Sequence, residues 1–491
     1  MTISFNNMPD NIRVPLVGIE FDGSRALQGT PGMSAKILVI GQKLTTGTAS
    51  AGVPIRITSK AQAEAAFGRG SMLSAMFNMI KKANPYTETW AIPLADHASG
   101  VPAAGYVGFS GTVTQSGTLC LYIAGTRIAV AITSGQAPSA IATAVAAAIN
   151  AVTDLPVTAA VNGSVNTQVD ITCRWDGETG NDIDIRVNYY PGEALPAGLS
   201  ATISNMAAGA TNPDISSAIT AMGDEWWNYV IMPYTDATNL TALEEELASR
   251  WLPMRQVDGI AFCAYRGTHA NTETFGDGRN SALVSCMGTS ISPSPAYLWA
   301  AAYGAVAAYH LAIDPARPLK TLPLPGILPP AISGKWTIEE RNLLLYDGIS
   351  TFTVDGGGNV LIEQTITMYQ ENAYGVADES FLKVYTPATL SYFRYSMRAR
   401  ITTKYPRHKL ADDGTQYGAG QAIVTPSVIR AELIALFKEW MDAGLAENLE
   451  QFKRDLIVER NADNRNRVDV LSPPDIVNQF DIFAAQIQFV L

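Results

Sequence analysis

The chain has 491 residues, 47% of them hydrophobic and only 16% charged, with 45 acidic and 34 basic side chains. That length buries several cores and gives a prior of about three domains. The formal charge of −11 argues against nucleic-acid binding by the chain as a whole, and so few charged residues suit a surface largely taken up by contacts.

Residues 1–25 read as an N-terminal arm and linker. The start, MTISFNNMPDNIRVPL, has no basic region followed by an apolar core, so it does not read as a secretory signal. In NIRVPLVGIEF, Ile12, Val14 and Leu16 fall on one face, with Arg13 and Pro15 on the other. Pro15 cannot donate to a ladder, so this strand belongs at a sheet edge. Glycine-rich DGSRALQGTPG follows, so its pairing partner lies elsewhere, another chain included.

Residues 26–99 open an α/β core. AKILVIGQKL is a buried strand. Residues 59–84 read as helical, with Ser59 as cap and Pro85 as stop, and TETWAIPL is a second strand. Residues 100–205 read as an inserted β-rich surface domain, with short alternating runs around one alanine-rich helix, PSAIATAVAAAINAV.

The core resumes over 206–385. TNPDISSAITAMGDEW and NLTALEEELASRW read as helices, the second with a glutamate-rich first half suited to a helix N-terminus. WNYVIMPY, VDGIAFCAYRG and ALVSCMGTS read as strands. AYLWAAAYGAVAAYHLAI, residues 296–313, carries no formal charge and reaches the lower length limit for a membrane span. It holds three tyrosines and His310 between Pro295 and Asp314, and reads as the buried helix of a large soluble core.

Residues 386–491 read as a further, distinct C-terminal domain. LSYFRYSMRARITTKY is a helix and a long polar loop follows. PSVIRAELIALFKEWMDAGL is the clearest helix, with Thr425 as cap, Pro426 in its first turn and Gly444 at its end. DLIVERN and RVDVLSP are strands. QFDIFAAQIQFVL alternates to the last residue, placing Phe483, Ala485, Ile487, Phe489 and Leu491 on one face. The predicted class is therefore an α/β core with a mostly parallel sheet, an inserted small β-rich domain and an α+β C-terminal domain, with extended N- and C-terminal arms.

Two fragments invite a hydrolase reading. Gly288-Thr289-Ser290 matches the nucleophile motif of subtilisin-type proteases, and Arg266-Gly267-Thr268-His269 approaches their histidine motif. The position that must accept the serine proton is Arg266, which stays protonated and cannot act as a base. The interval from Arg266 to Ser290 is also too short for that arrangement. His97, His310 and His408 do not cluster at ligand spacing, and no phosphate-loop motif occurs. Asp355-Gly356-Gly357-Gly358-Asn359 reads as a hairpin turn. Asp412-Asp413-Gly414 reads as a turn rather than a calcium loop. Cys120, Cys173, Cys263 and Cys286 read as buried free thiols of a chain made in a reducing cytoplasm. No catalytic, cofactor-binding or metal residue is predicted.

Charge is more informative. Residues 380–411 contain no acidic side chain but hold Lys383, Arg394, Arg398, Arg400, Lys404, Arg407 and Lys409. Arg394 and Arg398 share a helix face, interleaved with Tyr392, Phe393 and Tyr395. Such a stripe is either a solvated basic face or a dock for an acidic partner.

MRARITTKYPRHKLADDGT, QAIVTPSVIRAELIALF, DLIVERN and the final QIQFVL resemble the tail sheath family of Mu-like contractile phages. ISFNNMPDNIRVPL and GNDIDIRVNYYPGE resemble the start and the inserted domain of the same proteins. The resemblance spans nearly the whole chain. It implies a structural subunit without cofactor that stacks as hexameric rings, a helical sheath around an inner tail tube protein. It implies contraction from a strained extended state, driving the tube through the target envelope during genome ejection. Implied partners are copies of itself, the tube, and baseplate and tail terminator proteins, with no nucleic acid and no direct membrane insertion. The implied place is the virion tail, after assembly in the bacterial host cytoplasm. On this reading Ile12, Val14, Leu16, Ile487, Phe489 and Leu491 are the faces of two exchanged arms. Residues 22–32 have the composition of a hinge. Arg394, Arg398, Arg400, Lys404, Arg407 and Lys409 are the candidate contact with the tube. The alternatives are a cytoplasmic α/β hydrolase and another virion protein such as a baseplate component.

Overall fold

A computed structural model describes residue 14, residues 32–418 and residues 420–490. Ile12, Leu16, most of the expected N-terminal strand and hinge, and Leu491 lie outside the described residues. The chain forms two compact units: a larger one of Ser34–Tyr392 with the tail from Asn478, and a smaller one built on Phe393–Val477.

The larger unit is organised by an eight-stranded sheet. Its six central strands are parallel, in the order Ile349–Val354, Val284–Gly288, Ile260–Tyr265, Tyr229–Ile231, Lys36–Gln42, Glu88–Leu94. Val360–Gln364 and Ile55–Arg56 close the two edges antiparallel. Parallel strands joined by helical crossovers are covered on both faces, so they must be apolar at every position rather than at alternate ones. Ile37, Leu38, Val39 and Ile40 are accordingly all inaccessible to solvent.

Helix Ala296–Ile313 is buried nearly all round, packed against strand Ile260–Tyr265 and helix Met72–Ala83. It is long and apolar enough to cross a membrane, yet 78% of it is buried inside the protein. A Cβ added at Gly304 would lie 2.7 Å from Ile231 Cγ1, so only glycine lets helix and sheet approach this closely. Tyr303 buries its hydroxyl by bonding Ser285 Oγ at 2.7 Å.

Three local expectations are corrected. Residues 59–84 form two helices, Lys60–Phe67 and Met72–Ala83, because Gly68 and Gly70 both take positive φ between them. Ser59 caps the first as expected, and Ser71 restarts the second by accepting from Ser74 N at 3.0 Å. The helix expected over 211–226 is only Ser216–Met222. Helix Ala237–Trp251 starts earlier than expected, with no acidic residue in its first turn. Asp236 caps it, while Glu244 and Glu246 pair with Arg279 and Arg250.

The β-rich part of the larger unit has two antiparallel sheets. Leu199–Ala207, Pro102–Gly111, Gln168–Asp176 and Val157–Val161 form one. Thr126–Ile132, Gly117–Ile123 and Ile185–Val187 form the other. Helix Pro138–Ala151 turns Ile141, Val145 and Ile149 inward. Gln168–Asp176 alternates buried and half-buried positions along its whole length, the signature of a sheet covered on one face. Trp175 packs edge-on against Tyr297 of the core helix, with ring centroids 5.6 Å apart.

The smaller unit contains helices Pro426–Asp442 and Leu449–Asp455 and the second part of helix Tyr385–Lys404. Phe393 stacks on Trp440 and Phe437 on Phe452, each pair at 4.0 Å. Among its described residues the sheets are three two-stranded pairs: Lys409–Leu410 with Ile423–Val424, Ala446–Glu447 with Asp475–Ile476, and Ile457–Arg460 with Val468–Leu471. Thr425 occupies the N-cap of Pro426–Asp442 but makes no capping bond. Asp413 takes that role from across the loop, accepting from Ser427 N at 3.1 Å. The strand expected at the C-terminus is not formed in the single chain: residues 477–490 belong to no strand.

Candidate assembly surfaces

The serine-protease fragments are wired for structure. Ser290 is buried and its Oγ donates to the Gly334 carbonyl at 2.6 Å. Arg266 donates to the Ser292 carbonyl and to Asp184 Oδ1, each at 3.0 Å. His269 Nε2 is bonded to the Glu340 carbonyl at 2.9 Å. The serine proton is therefore held by a backbone oxygen, and the side chain at the would-be base position is a cation. All four cysteines are buried and free.

The basic stripe divides on folding. Arg398, Lys404, Arg407 and Lys409 are exposed and Arg394 is half-buried. Arg400 is not on the surface: it is buried against helix Pro426–Asp442, bonded to Glu432 at 2.9 Å and paired with Glu439. Lys404 shares Glu432 at 2.6 Å. Burial alone would raise the Glu432 pKa, but Lys404 and Arg400 outweigh it and hold the carboxyl below its ordinary range.

Two aspartates fasten the loop that carries Arg407 and Lys409. Asp412 accepts from Arg460 and Arg465 of the ribbon Ile457–Arg460/Val468–Leu471, at 3.0 Å each. Bonds from Arg460 and the charge of both arginines keep its pKa low. Asp413 is likewise lowered, first by the Ser427 hydroxyl bond. Residues 393–477 hold thirteen basic and twelve acidic side chains, so this unit is close to neutral in a chain of −11.

Among the described residues, a run of exposed large apolar side chains lies in the C-terminal tail, besides scattered ones such as Met254 and Ile332. Val14 is exposed. Ile482, Phe483, Ile487, Phe489 and Val490 are each at least 80% exposed. Within the ribbon, Ile457 faces Leu471 across the strands and both remain more than half exposed.

Three family models match successive parts of the chain: the phage tail sheath protein beta-sandwich domain at residues 98–201, the central domain at 208–368 and the C-terminal domain at 376–490. Over all 491 residues the chain is 52% identical to the Mu-like prophage FluMu tail sheath protein of Haemophilus influenzae, covering 100% of both sequences. The chain belongs to the phage tail sheath protein family. It is a structural subunit of a tail sheath of the Mu-like kind, and its place is the virion tail. The sheath tail protein of Listeria innocua is similar at 12% identity and a TM-score of 0.49, covering 92% of this chain and 94% of that one. The helical sheath of the anti-feeding prophage in its contracted state is similar at 12% identity and a TM-score of 0.47, covering 97% and 99%. Membership does not rest on these distant likenesses.

In this sheath subunit, sequence reading singled out the arm positions and the stripe but missed what fastens them. Asp412 and Asp413 read only as a turn. Lys383, counted with the stripe, is instead paired with Asp481 near the C-terminus. The arginine–aspartate contacts join residues 48 and 53 positions apart, a spacing that leaves no periodic trace in sequence.

Proposed function

We propose that this sheath subunit polymerises as stacked hexameric rings, a helical sleeve around an inner tail tube. The sleeve contracts to drive the tube through the target cell envelope, without catalysis, nucleotide or cofactor. One observation carries the reading: an apolar tail, Ile482–Val490, exposed at every position, in a chain whose smaller unit, among its described residues, has two-stranded sheets. Two-stranded ribbons are marginal in water and gain stability from further strands. A tail with alternating apolar residues supplies one, through main-chain hydrogen bonds that survive when side-chain surfaces slide. Ile487, Phe489 and Leu491 form the face of this exchanged strand. Ile12, Val14 and Leu16 form that of the N-terminal arm, with residues 22–32 as its hinge.

Residues 386–491 serve as the assembly domain, and the insertion at 100–205 as a surface domain. Arg398, Arg407 and Lys409, flanked by Arg394 and Lys404, grip an acidic tube in the extended state, with Arg400 bracing the helix beneath them. Contraction is rigid-body rotation about the arm linkers, released from a kinetically trapped lattice. Baseplate and tail terminator proteins bound the sleeve at its ends, and assembly takes place in the host cytoplasm. Negative-stain microscopy of the purified protein tests the polymer: striated hollow sleeves are expected, and a uniform monomer at high concentration would overturn the reading. Adding the tube protein tests the stripe, since Arg398→Glu with Arg407→Glu should abolish co-assembly and leave sleeves of sheath alone intact.

A further inference from the structure

Residues 479–481 behave unlike residues 482–490. Gln479 Nε2 donates to the Ala316 carbonyl at 3.2 Å. Lys320 Nζ donates to the Phe480 carbonyl and sits 5.7 Å from the centre of the Phe480 ring. Asp481 accepts from Lys383 Nζ, accepts from Gln364 Nε2 at 3.3 Å, and lies 3.9 Å from Lys320. From Ile482 to Val490 every residue is exposed. The boundary between held and unheld chain falls within one residue.

The groups that hold this segment are themselves tied to the core sheet. Gln364 ends the edge strand Val360–Gln364. The segment carrying Lys320 is bonded to the same strand, Thr321 N to the Ile362 carbonyl at 2.7 Å and Ile362 N to the Leu322 carbonyl at 2.9 Å. Lys383 forms a backbone bridge with Ile366, just past that strand. An exposed lysine–carboxylate pair usually contributes little. Here one carboxylate takes two lysines and an amide, the neighbouring carbonyl is also taken, and the Asp481 and Lys383 side chains are only 23% and 26% exposed.

We infer that Asp481, with Lys320 and Lys383, is the anchor that fixes the root of the exchanged tail to the body of the subunit. This rests on the strand-exchange reading above. A tail paired with a neighbour links two subunits only if its root is fixed at home. Otherwise a pull on the tail peels residues 478–481 away before it moves the core. Asp481 is a positioning residue for assembly, and the pull enters the sheet through the edge strand Val360–Gln364.

The experiment compares critical concentrations for sleeve formation by sedimentation. Asp481→Asn keeps the shape and removes the charge. It should raise the critical concentration about tenfold, the scale of one charge-assisted hydrogen bond. Lys383→Met should act in the same direction from the other side of the contact, and Asp481→Glu should stay within about twofold of the natural chain. Thermal melting of the unassembled subunit should not move, while amide exchange at residues 478–481 should quicken in the first two variants. A chain lacking residues 483–491 separates the two ideas. If it fails to assemble while Asp481→Asn and Lys383→Met assemble normally, the anchor is overturned and strand exchange stands. If it assembles normally, the exchange itself is overturned, and the anchor with it.

Discussion

Strand Val284–Gly288 has no exposed residue, whereas strand Ile457–Arg460 has no buried one. Both strands belong to one chain and face opposite demands. The first is one of six parallel strands covered on both faces, with closed edges on either side. The second has a single partner strand and exposed aliphatic side chains. The larger unit completes its sheets with its own residues. Among its described residues the smaller unit has two-stranded ribbons with exposed aliphatic side chains, and residues 482–490 form an exposed apolar tail. The proposed strand exchange rests on this pairing of two-stranded ribbons with an exposed apolar tail.

The contrast is broken most directly by removing the exposed tail. Deleting residues 483–491, or residues 1–20, should abolish sleeve formation in sedimentation and microscopy while leaving the melting of the monomer unchanged. A truncated chain that still polymerises would show that the ribbons need no guest. Damage to the finished part should act the other way. Trp299 is fully buried, packs on Phe352 at 4.8 Å and bonds Ser292. Trp299→Ala should cost about 4 kcal/mol in denaturant unfolding and affect assembly only through loss of folded protein.

A smaller effect is expected at Arg400. Replacing it by methionine removes a guanidinium shared between Glu432 and Glu439, leaving Lys404 to neutralise Glu432. Stability of the smaller unit should fall by about 2 kcal/mol, less than for a fully enclosed pair because Glu439 is partly solvated.

Acid should act with opposite sign on two sets of carboxyls. In the larger unit, burial and the nearby Asp277 and Glu273 charges push Asp347 up to about 6. Burial likewise pushes Asp182 up to about 6, partly offset by Arg266. A carboxyl whose folded pKa is raised favours folding fully below about pH 4, and loses that contribution as pH rises through about 6. In the smaller unit Asp412, Asp413 and Glu432 are all lowered. Their contribution is present above the ordinary carboxylate range, about pH 4, and is lost as pH falls through the depressed values. Hydrogen exchange corrected for intrinsic rates should show the segments around Asp182 and Asp347 gaining protection from pH 6 to pH 4. The smaller unit should lose it below pH 4. Parallel responses would refute the assignment. The smallest effect on the fold belongs to Arg398→Glu, a change at an exposed position that should shift stability by no more than about 0.5 kcal/mol.

Much of the larger unit was legible because burial on both faces demands continuous apolar runs, as in ILVIG and IAFCAY, and because a helix without a polar face, residues 296–313, has to sit inside something. The hairpin at Asp355–Asn359 was legible for a local reason: Asp355 Oδ1 accepts from Gly357 N and Asn359 N within the turn itself. The stripe was legible only as charge. Arg398 and Arg400 are chemically alike and two positions apart, yet one is exposed and the other buried. Two helical positions are about 200° of rotation, so only the place of helix Pro426–Asp442 decides which arginine becomes a brace. The same holds for Asp412, Asp413 and Asp481, whose partners come from other segments. Alternation at the C-terminus follows from local sequence, because side chains of an extended chain point to opposite faces. Whether that alternation becomes a strand depends on an edge to pair with. In the single chain residues 482–490 have none, so the tail stays exposed beyond its hold at Asp481.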